Sequence, residues 1–333
     1  MGILRYTIRR LLQAIPVLLG IVTITFLLTN AIPGDPVKIM LGPSPSAEMV
    51  NQIRAQYGLN QPLPVRYVHY LTSVAQGNLG ESIYYRGVPV TTKIMQRLPV
   101  TLLLMLASFT FALVVAIPLG IISANRRNQP TDHATRIAAL IGVSTPDFWI
   151  GLMLIIVFAY YLKWLPATGL VLPWANPSSV EHASSRLDVL WQTCTHLLLP
   201  AITLGTLQMA AVMRIERSSM LEVLQQEYVK LARAYGVAER KIVRKHAFRN
   251  AQLPVITVVG LQLTAALGGA VLTETVFNIN GMGRLIITAV NNQDYPLIMG
   301  TTIFFGLTFV VGVVLTDISY AYIDPRVSYD EVD

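Results

Sequence analysis

The 333 residues of the chain are 53% hydrophobic and only 13% charged, a composition that favours a membrane protein. The lone cysteine, Cys194, excludes an internal disulfide and a cysteine-ligated metal cluster. The net charge of +7 is compatible in principle with a nucleic-acid partner, but the placement of the basic residues favours membrane topology instead.

Six segments of the chain carry no charge or a single one. They are Leu11–Ala31, Val100–Ala124, Ile137–Leu162, Leu197–Met213, Asn250–Thr273 and Leu297–Thr316. A spanning helix needs roughly 20 apolar residues, and the one shorter segment is expected to continue as helix beyond Arg214. The sequence therefore predicts an all-α polytopic membrane protein with six transmembrane helices. The first segment is too long for a signal-peptide core, and we expect it to be retained.

Basic residues indicate on which side of the membrane each connecting segment lies. With the amino terminus in the cytoplasm, 16 of the 25 lysines and arginines fall on cytoplasmic segments. Six of the other nine fall in the long first loop, where the charge rule is weak. This distribution predicts that both termini are cytoplasmic and that the basic segments contact anionic lipids. It predicts no nucleic-acid partner.

A long polar stretch follows the first apolar segment, and this orientation places it outside the cytoplasm. Ile32–Pro36 holds two prolines around a glycine and should end the first helix. Ser46 is expected to cap a short helix that reaches Tyr57, and a second helix is predicted around Val65–Ala75. We interpret the stretch as a small helical cap beside a pore mouth, with a spacer loop as the alternative.

The third apolar segment contains a proline next to a charge, in the sequence Pro146-Asp147-Phe148. A charged residue at the centre of a bilayer costs roughly 2.5–3.5 kcal/mol on insertion scales, so Asp147 must face water, protein or an interface. It could line a pathway together with its two neighbours, or it could pair with Arg136. Proline removes a backbone donor, so Pro118, Pro146 and Pro200 are expected to kink their helices.

The segment between the last two apolar runs combines a short apolar stretch with charges. Leu285–Val290 is too short to span and predicts a re-entrant or interfacial helix at the outer mouth. Glu274, Arg284 and Asp294 could contact a docked partner or a peptide terminus there. Simple solvation is the alternative for all three charges.

The most basic part of the chain is Glu227–Pro254. Apolar residues before and within its first half recur at spacings of three and four, which is typical of one helical face: Leu221, Leu224, Tyr228, Leu231 and Tyr235. Gly236 follows them, where a helix end favours a residue with positive φ. A second, basic helix is predicted to end at Pro254. The pattern indicates two short helices with a glycine corner, or else an ordinary basic loop.

The sequence contains no motif for covalent chemistry. It has no G-x-x-x-x-G-K-[ST] phosphate loop, no H-E-x-x-H zinc motif and no G-x-S-x-G nucleophile elbow. We therefore expect a chain that is not itself an enzyme and that holds neither a metal nor another cofactor of its own.

The order of Ala232, Ala234 and Gly236, a basic helix and then Leu253-Pro254 resembles the EAA loop of permease subunits from ATP-binding-cassette (ABC) importers. Here the first alanine opens an A-R-A-x-G sequence, which is similar to the dipeptide/oligopeptide/nickel branch of that family. Motifs that are similar to this branch occur along the whole chain. They include IPGDP (Ile32–Pro36), GNLGES (Gly77–Ser82), STPDFWIGL (Ser144–Leu152), LTETVF (Leu272–Phe277), GMGRL (Gly281–Leu285) and DPR (Asp324–Arg326).

The resemblance implies a permease subunit in the inner membrane of a prokaryote that forms half of a pathway for di- or oligopeptides. It implies a homologous second permease, two cytosolic subunits that bind ATP and Mg²⁺, and an extracytoplasmic solute-binding protein. Nickel or another small solute is the alternative cargo. A secondary transporter is the alternative class, although the internal repeats expected of one are not visible.

The resemblance also implies an organisation and a site. The regions are 1–31 with the first span, 32–97 as the cap, 98–322 as the transmembrane core with a coupling loop at 214–254, and 323–333 as a cytoplasmic tail. The residues expected to couple the permease to its ATPase are Leu224, Tyr228, Leu231, Ala232, Ala234, Gly236, Leu253 and Pro254.

Overall fold

The computed structural model describes residues 3–31, 46–56, 58 and 60–323. The predicted helix stop at Ile32–Pro36 and the tail from 324 onward lie outside the described residues. Most of the described chain is helical. The helices are α1 (Ile3–Ala31), α2 (Ala47–Gln56), α3 (Leu63–Ala75), α4 (Val90–Asn125), α5 (Pro130–Ser144), α6 (Asp147–Leu154), α7 (Arg186–Leu224), α8 (Glu227–Ala234), α9 (Glu239–Lys241), α10 (Phe248–Val276), α11 (Met282–Asn291) and α12 (Tyr295–Ile323).

Shorter or irregular elements connect these helices. Helix α6 continues as a π-helical segment at Ile155–Tyr161, and a second π-helical segment at Ile242–Ala247 joins α9 directly to α10. Pro177–Ser179 forms a 3₁₀ turn. A small antiparallel hairpin pairs β1 (Glu81–Ser82) with β2 (Val88–Pro89), a feature that the sequence analysis did not predict.

Every predicted apolar segment falls on helix, and the third is divided between α5 and α6. Within the described residues, three helices are long and apolar enough to span a membrane: α4, α7 and the part of α12 at Tyr295–Val314. The pair α5 and α6 passes the same test together but is bent by 105°. The predicted extension of helix beyond Arg214 is confirmed, because α7 continues to Leu224.

Proline has different effects at the three predicted kinks. Helices α4 and α7 continue through Pro118 and Pro200, because a proline removes one helical hydrogen bond and leaves the others in place. Pro146 instead stands between α5 and α6, at the 105° bend. The expectation of a sharp bend therefore holds at Pro146, where two helices meet.

The chain divides into two compact units. One consists of residues 2–101 and 280–311. In it, the predicted helix after Ser46 and the helix near Val65–Ala75 are both confirmed as α2 and α3, and Ser46 Oγ accepts a hydrogen bond from Met49 N at 3.3 Å. Its apolar core joins α4, α11 and α12 through Val90, Ile94, Met282, Leu285, Ala289 and Leu297.

The other unit consists of residues 102–279 and the chain from 312 onward. Helix α7 is at its centre and packs against α5, α6 and α10. Small residues permit this close packing, which is the usual way that membrane helices associate. A Cβ added to Gly205 of α7 would lie 2.7 Å from the backbone oxygen of Ser108, so α4 and α7 approach each other too closely for a side chain there.

Candidate functional site

The predicted glycine corner after α8 is present. Gly236 has a φ of +74°, and two hydrogen bonds close the helix end, from Gly236 N to Arg233 O at 2.9 Å and from Val237 N to Ala232 O at 3.1 Å. This pair of bonds is the Schellman motif, which requires a residue in the left-handed conformation at its centre. Glycine adopts that conformation without strain, and the sequence signal at Gly236 was therefore correct.

The second predicted helix does not end at Pro254. The chain after the corner forms α9, passes through the π-helical segment and continues as α10 to Val276, with Pro254 inside α10. The prediction was wrong because the missing N–H of one proline costs a single hydrogen bond, which a long apolar helix tolerates. Leu253 and Pro254 are exposed residues within α10 rather than the boundary of a separate helix.

One face of α8 is anchored to the helices around it. Val229 is fully buried and packs in a cluster with residues of α4, α7, the π-helical segment and α10. The other members of that cluster are Ala124, Met220, Leu224, Ile242, Val243, Ala247 and Ala251, with Ala232 packed against its edge. Tyr228 adds a polar contact, since its phenolic oxygen accepts a hydrogen bond from Asn250 Nδ2 at 2.7 Å. Helix α8 is thus fixed against both helices that lead into and out of the loop.

An ion pair bridges the two sides of the turn at Gly236. Arg233 Nη2 lies 2.7 Å from Glu239 Oε1, and Arg233 Nε lies 3.1 Å from Glu239 Oε2. The hydrogen bonds from Arg233 hold the pKa of Glu239 below its ordinary value, and the same contact raises the pKa of Arg233. Arg233 Nη1 also donates to the backbone oxygen of Leu224 at 3.4 Å. The pair links the end of α7, α8 and α9.

A second face of α8, which includes part of the Tyr228 side chain, is apolar and exposed. The exposed fractions are 41% for Tyr228, 56% for Leu231 and 79% for Tyr235. Exposed basic residues occur on α8, α9, the π-helical segment and α10: Lys230, Arg240, Lys241, Arg244, Lys245 and Arg249. We call Tyr228, Leu231 and Tyr235 the coupling face. An exposed apolar patch on an element that also carries exposed charges is typical of a surface that binds another protein.

The predicted apolar stripe is only partly present on this face. Leu221 and Leu224 belong to α7, which ends before α8 begins, and Leu224 is buried in the cluster while Leu221 is partly buried. The prediction of one continuous helical face was wrong because α7 ends at Leu224 and α8 starts only at Glu227. Ala234 is exposed beside the coupling face, whereas Ala232 faces the cluster.

The break between α5 and α6 forms a second candidate site. Pro146 has no N–H to donate, and Asp147 opens α6 with its Oδ1 accepting from Phe148 N at 2.8 Å. A cavity of about 350 Å³ lies at the break. It is lined by Gly142, Val143, Ser144, Thr145, Pro146, Asp147, Ile150, Thr203 and Leu207. The structure thus brings Pro146 and Asp147 to one cavity, and Phe148 is exposed next to them.

Asp147 does not pair with Arg136. Within the described ranges, the ion pairs include none between Asp147 and any arginine, and Asp147 is partly exposed at the cavity. The interpretation of a structural Arg136 pair was therefore wrong.

A buried ion pair that the sequence analysis missed joins the first turn of α5 to α7. Arg217 Nε donates to Asp132 Oδ1 at 2.7 Å and Arg217 Nη2 donates to Asp132 Oδ2 at 2.8 Å. The Asp132 side chain is fully buried. The available signal was a lone acid in the first turn of a helix within an otherwise basic stretch, between Arg127 and Arg136.

Two of the three charges expected at the outer mouth are buried. Asp294 is fully buried and accepts hydrogen bonds from Ser82 Oγ at 2.5 Å, Tyr84 N at 3.1 Å and Leu297 N at 3.2 Å. Glu274 is also fully buried. The expectation that these two contact solvent or a docked partner was wrong, since both are buried. For Asp294 the physical reason is that a carboxylate can organise donors inside a fold. Arg284 is partly exposed and donates to Asn280 Oδ1 at 3.1 Å.

Comparison with known proteins identifies the family. Residues 116–329 match the family described as "Binding-protein-dependent transport system inner membrane component", and residues 3–105 match its N-terminal companion. The chain belongs to this family. It is a permease subunit of an ABC transporter and a multi-pass protein of the inner membrane.

Curated relatives of this permease are similar over nearly its whole length. The oligopeptide transport system permease protein AppB of Bacillus subtilis is 41% identical, over 97% of this chain and 99% of that protein. The dipeptide transport system permease protein DppB of Alkalihalophilus pseudofirmus is 40% identical, over 98% and 100%. The glutathione transport system permease protein GsiC of Salmonella typhimurium is 38% identical, over 98% and 99%.

A solved structure shows the same fold at low identity. The inward-facing MetNI methionine ABC transporter contains a chain that is 15% identical to the permease, with a TM-score of 0.53. The match covers 70% of this chain and 96% of that one. The likeness shows that the permease has the helical fold of an ABC transporter membrane subunit.

Proposed function

We propose that the chain is the permease subunit of an ABC importer for di- or oligopeptides, in which it forms half of the translocation pathway. The observation that carries the proposal is the match, over at least 97% of the chain, to permeases that are named for oligopeptides, dipeptides and glutathione. A homologous second permease supplies the other half of the pathway. ATP and Mg²⁺ bind to two partner subunits in the cytosol, and an extracytoplasmic binding protein delivers the peptide.

Uptake measurements test the cargo directly. Cells that lack this chain and cells that carry it again from a plasmid are compared for uptake of radiolabelled dialanine, tetra-alanine and nickel. We expect restoration of uptake of one or both peptides and no change in nickel uptake. Restored nickel uptake without peptide uptake would contradict the proposal and favour a metal cargo.

We further propose six spans with both termini in the cytoplasm, and residues 32–97 as a cap on the outer side. The six apolar segments that fall on helix and the bias of basic residues support this topology. Single cysteines introduced at Gln56 and at Gln226 test it, in a Cys194→Ser background because the native cysteine is exposed. A membrane-impermeant thiol reagent should label the first in intact cells and the second only in opened cells. The reverse pattern would overturn the orientation.

The coupling face is proposed to dock into a groove on a cytosolic ATPase subunit. An apolar face such as that of Tyr228, Leu231 and Tyr235 is costly to leave in water, at about 25 cal/mol per Å², and it has no cover among the described residues. The exposed basic residues of α8, α9 and the π-helical segment would then face acidic residues around the groove. Docking at this position would pass movement of the ATPases to α7 and α10, between which α8 is fixed.

Replacement of Leu231 by Asp tests docking. The substitution places a charge at the centre of the apolar contact, and we expect the ATPase subunits to be lost from the complex on purification and uptake to fall at least tenfold. Leu187→Asp is the matched control, since Leu187 is 76% exposed and lies at the other end of α7. Retention of the ATPases by the Leu231 variant would show that this face is not the docking site.

The cavity at the break between α5 and α6 is proposed to belong to the translocation pathway. An ionisable residue within a membrane segment that lacks an ion-pair partner requires water or a polar solute next to it. Non-helical backbone at membrane depth likewise occurs where it lines a cavity. Asp147 and the chain around Pro146 meet both conditions. In this arrangement the two permeases rock between inward- and outward-open states around the pathway as the ATPases close and separate.

A further inference from the structure

Two adjacent residues near the end of α7 attach that helix to different neighbours. Glu216 Oε2 accepts a hydrogen bond from Gln252 Nε2 of α10 at 2.8 Å, and Arg217 contacts Asp132 of α5. A third contact lies between these residues and the end of α7, where Ser219 Oγ donates to Ala251 O of α10 at 2.8 Å. Helices α7 and α10, which enter and leave the coupling loop, are thus attached to each other by polar contacts.

The contact between Arg217 and Asp132 is saturated with hydrogen bonds. Besides its two bonds from Arg217, the carboxylate accepts one from Ser123 Oγ of α4 at 2.6 Å and one from Asn128 N at 2.9 Å. Arg217 Nε also lies 3.1 Å from Ser123 Oγ. A bidentate arginine–carboxylate pair fixes orientation as well as distance, because both planar groups must align. The ends of α4 and α7 and the start of α5 are therefore held in one geometry.

The Asp132–Arg217 contact lies on two helices that lead to the two candidate sites, the loop that carries α8 and the break between α5 and α6. Arg217 lies two turns before Leu224, where α7 ends and the loop that carries α8 begins. Asp132 lies in the first turn of α5, whose other end is the break at Pro146. Helix α5 has 15 residues, with the ion pair in its first turn and the cavity at its last residues. A displacement of α7 at Arg217 would accordingly move α5, and with it the side of the cavity that the end of α5 lines.

A Cβ position on α4 shows how tightly this region is packed. A Cβ added to Gly120 would lie 2.6 Å from Glu216 Cγ and 3.1 Å from Met213 O, so α4 lies directly against α7 beside the ion pair. Arg217 retains 21% of its side-chain exposure while Asp132 has none. The pair is thus a buried contact at the base of the loop rather than a surface ion pair.

We infer that the Asp132–Arg217 pair is a positioning contact for transport, which passes movement of the coupling loop to the break between α5 and α6. The inference rests on the proposed function. Neither residue touches the peptide or ATP. Their role is to make α5 follow α7, so that closure of the ATPases changes the cavity that holds Asp147. Without the pair, the loop would still dock and the ATPases would still cycle, but α5 would follow the movement poorly.

The test measures peptide transported per ATP hydrolysed. The transporter is purified with its partner subunits and reconstituted with its binding protein, and labelled dialanine and tetra-alanine are the probes. For Asp132→Asn we expect assembly within twofold of the parent and binding-protein-stimulated hydrolysis above half of it. Uptake should fall at least tenfold, so the ratio of peptide to ATP falls. Asp188→Asn is the matched control, an exposed carboxylate that caps the other end of α7, and should keep the parent ratio.

A role in folding alone would give a different result. Uptake and hydrolysis would then fall together, in proportion to the amount of assembled complex, and the ratio would be unchanged; that outcome overturns the inference, as does unchanged uptake. If Asp132→Asn does not accumulate, the same ratio is measured for Arg217→Lys and Ser123→Ala. Each of these variants weakens the contact but keeps the negative charge of Asp132 and a positive charge at position 217. A lowered ratio in these variants supports the inference, and a parent ratio overturns it. The Leu231→Asp variant distinguishes a failure of this inference from a failure of the proposed function. If Leu231→Asp also transports at the parent rate, the proposed docking of α8 is wrong as well.

Discussion

Arg233 and Glu239 form a bidentate ion pair across the turn at Gly236, with Nη2 and Oε1 at 2.7 Å and Nε and Oε2 at 3.1 Å. The two residues are six positions apart, and no helix periodicity brings them together. The positive φ of Gly236 reverses the chain between them. The geometry of the turn between α8 and α9 therefore depends on a backbone conformation and on a charge pair, and each can be tested separately.

The ion pair predicts a pH dependence of the loop. Because Arg233 lowers the pKa of Glu239 in the folded protein, the pair stabilises the corner fully above the ordinary glutamate value of 4.5. This stabilisation is lost as the pH falls through the lowered pKa. Hydrogen exchange of the α8 amides should thus be protected evenly from pH 7 down to about 5 and less below about 4.5. The Glu239→Gln variant should lack this change, and an identical acid profile in both would exclude the pair as its source.

The glycine corner predicts a strain effect without a steric one. A Cβ at Gly236 would meet no atom within 4 Å, but a β-branched residue at φ +74° is strained by roughly 1–3 kcal/mol. Gly236→Val should therefore reduce uptake and binding-protein-stimulated ATP hydrolysis several-fold while membrane levels stay normal. Gly236→Asn should be milder, because asparagine tolerates this conformation.

Gly77 supplies the control for this prediction. It ends α3 with the same pair of hydrogen bonds, Gly77 N to Val74 O and Asn78 N to Ser73 O, both at 2.9 Å, with a φ of +78°. No atom lies within 4 Å of an added Cβ there either. Gly77→Val imposes the same strain away from α8 and should leave the stimulation of ATP hydrolysis intact. Equal losses of stimulation in both variants would point to general destabilisation instead of coupling.

The cavity at the helix break predicts a role for the Asp147 charge. Asp147→Asn keeps the size of the side chain and removes its charge, so a cationic group of the cargo would lose a charge-assisted contact, worth roughly 1.5–3 kcal/mol. We expect the uptake rate of dialanine to change about tenfold or more at normal membrane abundance. Arg136→Gln should not reproduce this effect, since the structure shows no pair between the two. Unchanged uptake by the Asp147 variant would place it outside the pathway.

The buried Asp294 predicts a stability effect. Asp294→Ala leaves Ser82 Oγ and the backbone N–H groups of Tyr84 and Leu297 without their acceptor, at about 1–3 kcal/mol for each buried group that stays unpaired. The melting temperature of the purified complex should fall. Ser82→Ala removes one donor and leaves the carboxylate its other two, so its effect should be smaller. A melting temperature unchanged in the Asp294 variant would mean that water replaces the carboxylate.

The sequence predicted the helices well because apolar length and glycine or serine boundary signals are local. The apolar segments, the cap helix after Ser46 and the corner at Gly236 all follow from patterns within one turn or one segment. Pro254 misled the prediction because the same residue ends some helices and is tolerated in others. Whether a proline ends a helix or is tolerated inside it depends on how the helix packs against its neighbours, and the local sequence does not show this packing.

The polar contacts of Asp132 and Asp294 could not be predicted, because they join residues that are distant along the chain. Asp132 and Arg217 are 85 positions apart, and Asp294 and Ser82 are 212 apart. Composition suggested Arg136 as the partner of Asp147, since it was the nearest base along the same segment. The structure shows that the ion pair on this helix belongs to Asp132 instead, while Asp147 lies at the helix break.

The length of α7 has a mechanical consequence. Its 39 residues extend about 58 Å at 1.5 Å per residue, whereas the hydrocarbon core of a bilayer is roughly 30 Å thick. Even at a tilt of about 40° the helix is longer than this core is thick, so part of it must extend into the headgroup region or beyond. We propose that this part includes the Leu224 end, next to α8, so that α7 acts as a lever that pivots inside the membrane. A small rotation of the part of α7 inside the membrane then gives a large sideways displacement of the end next to α8. A force applied to that end gives, in turn, a small rotation of α7 within the membrane.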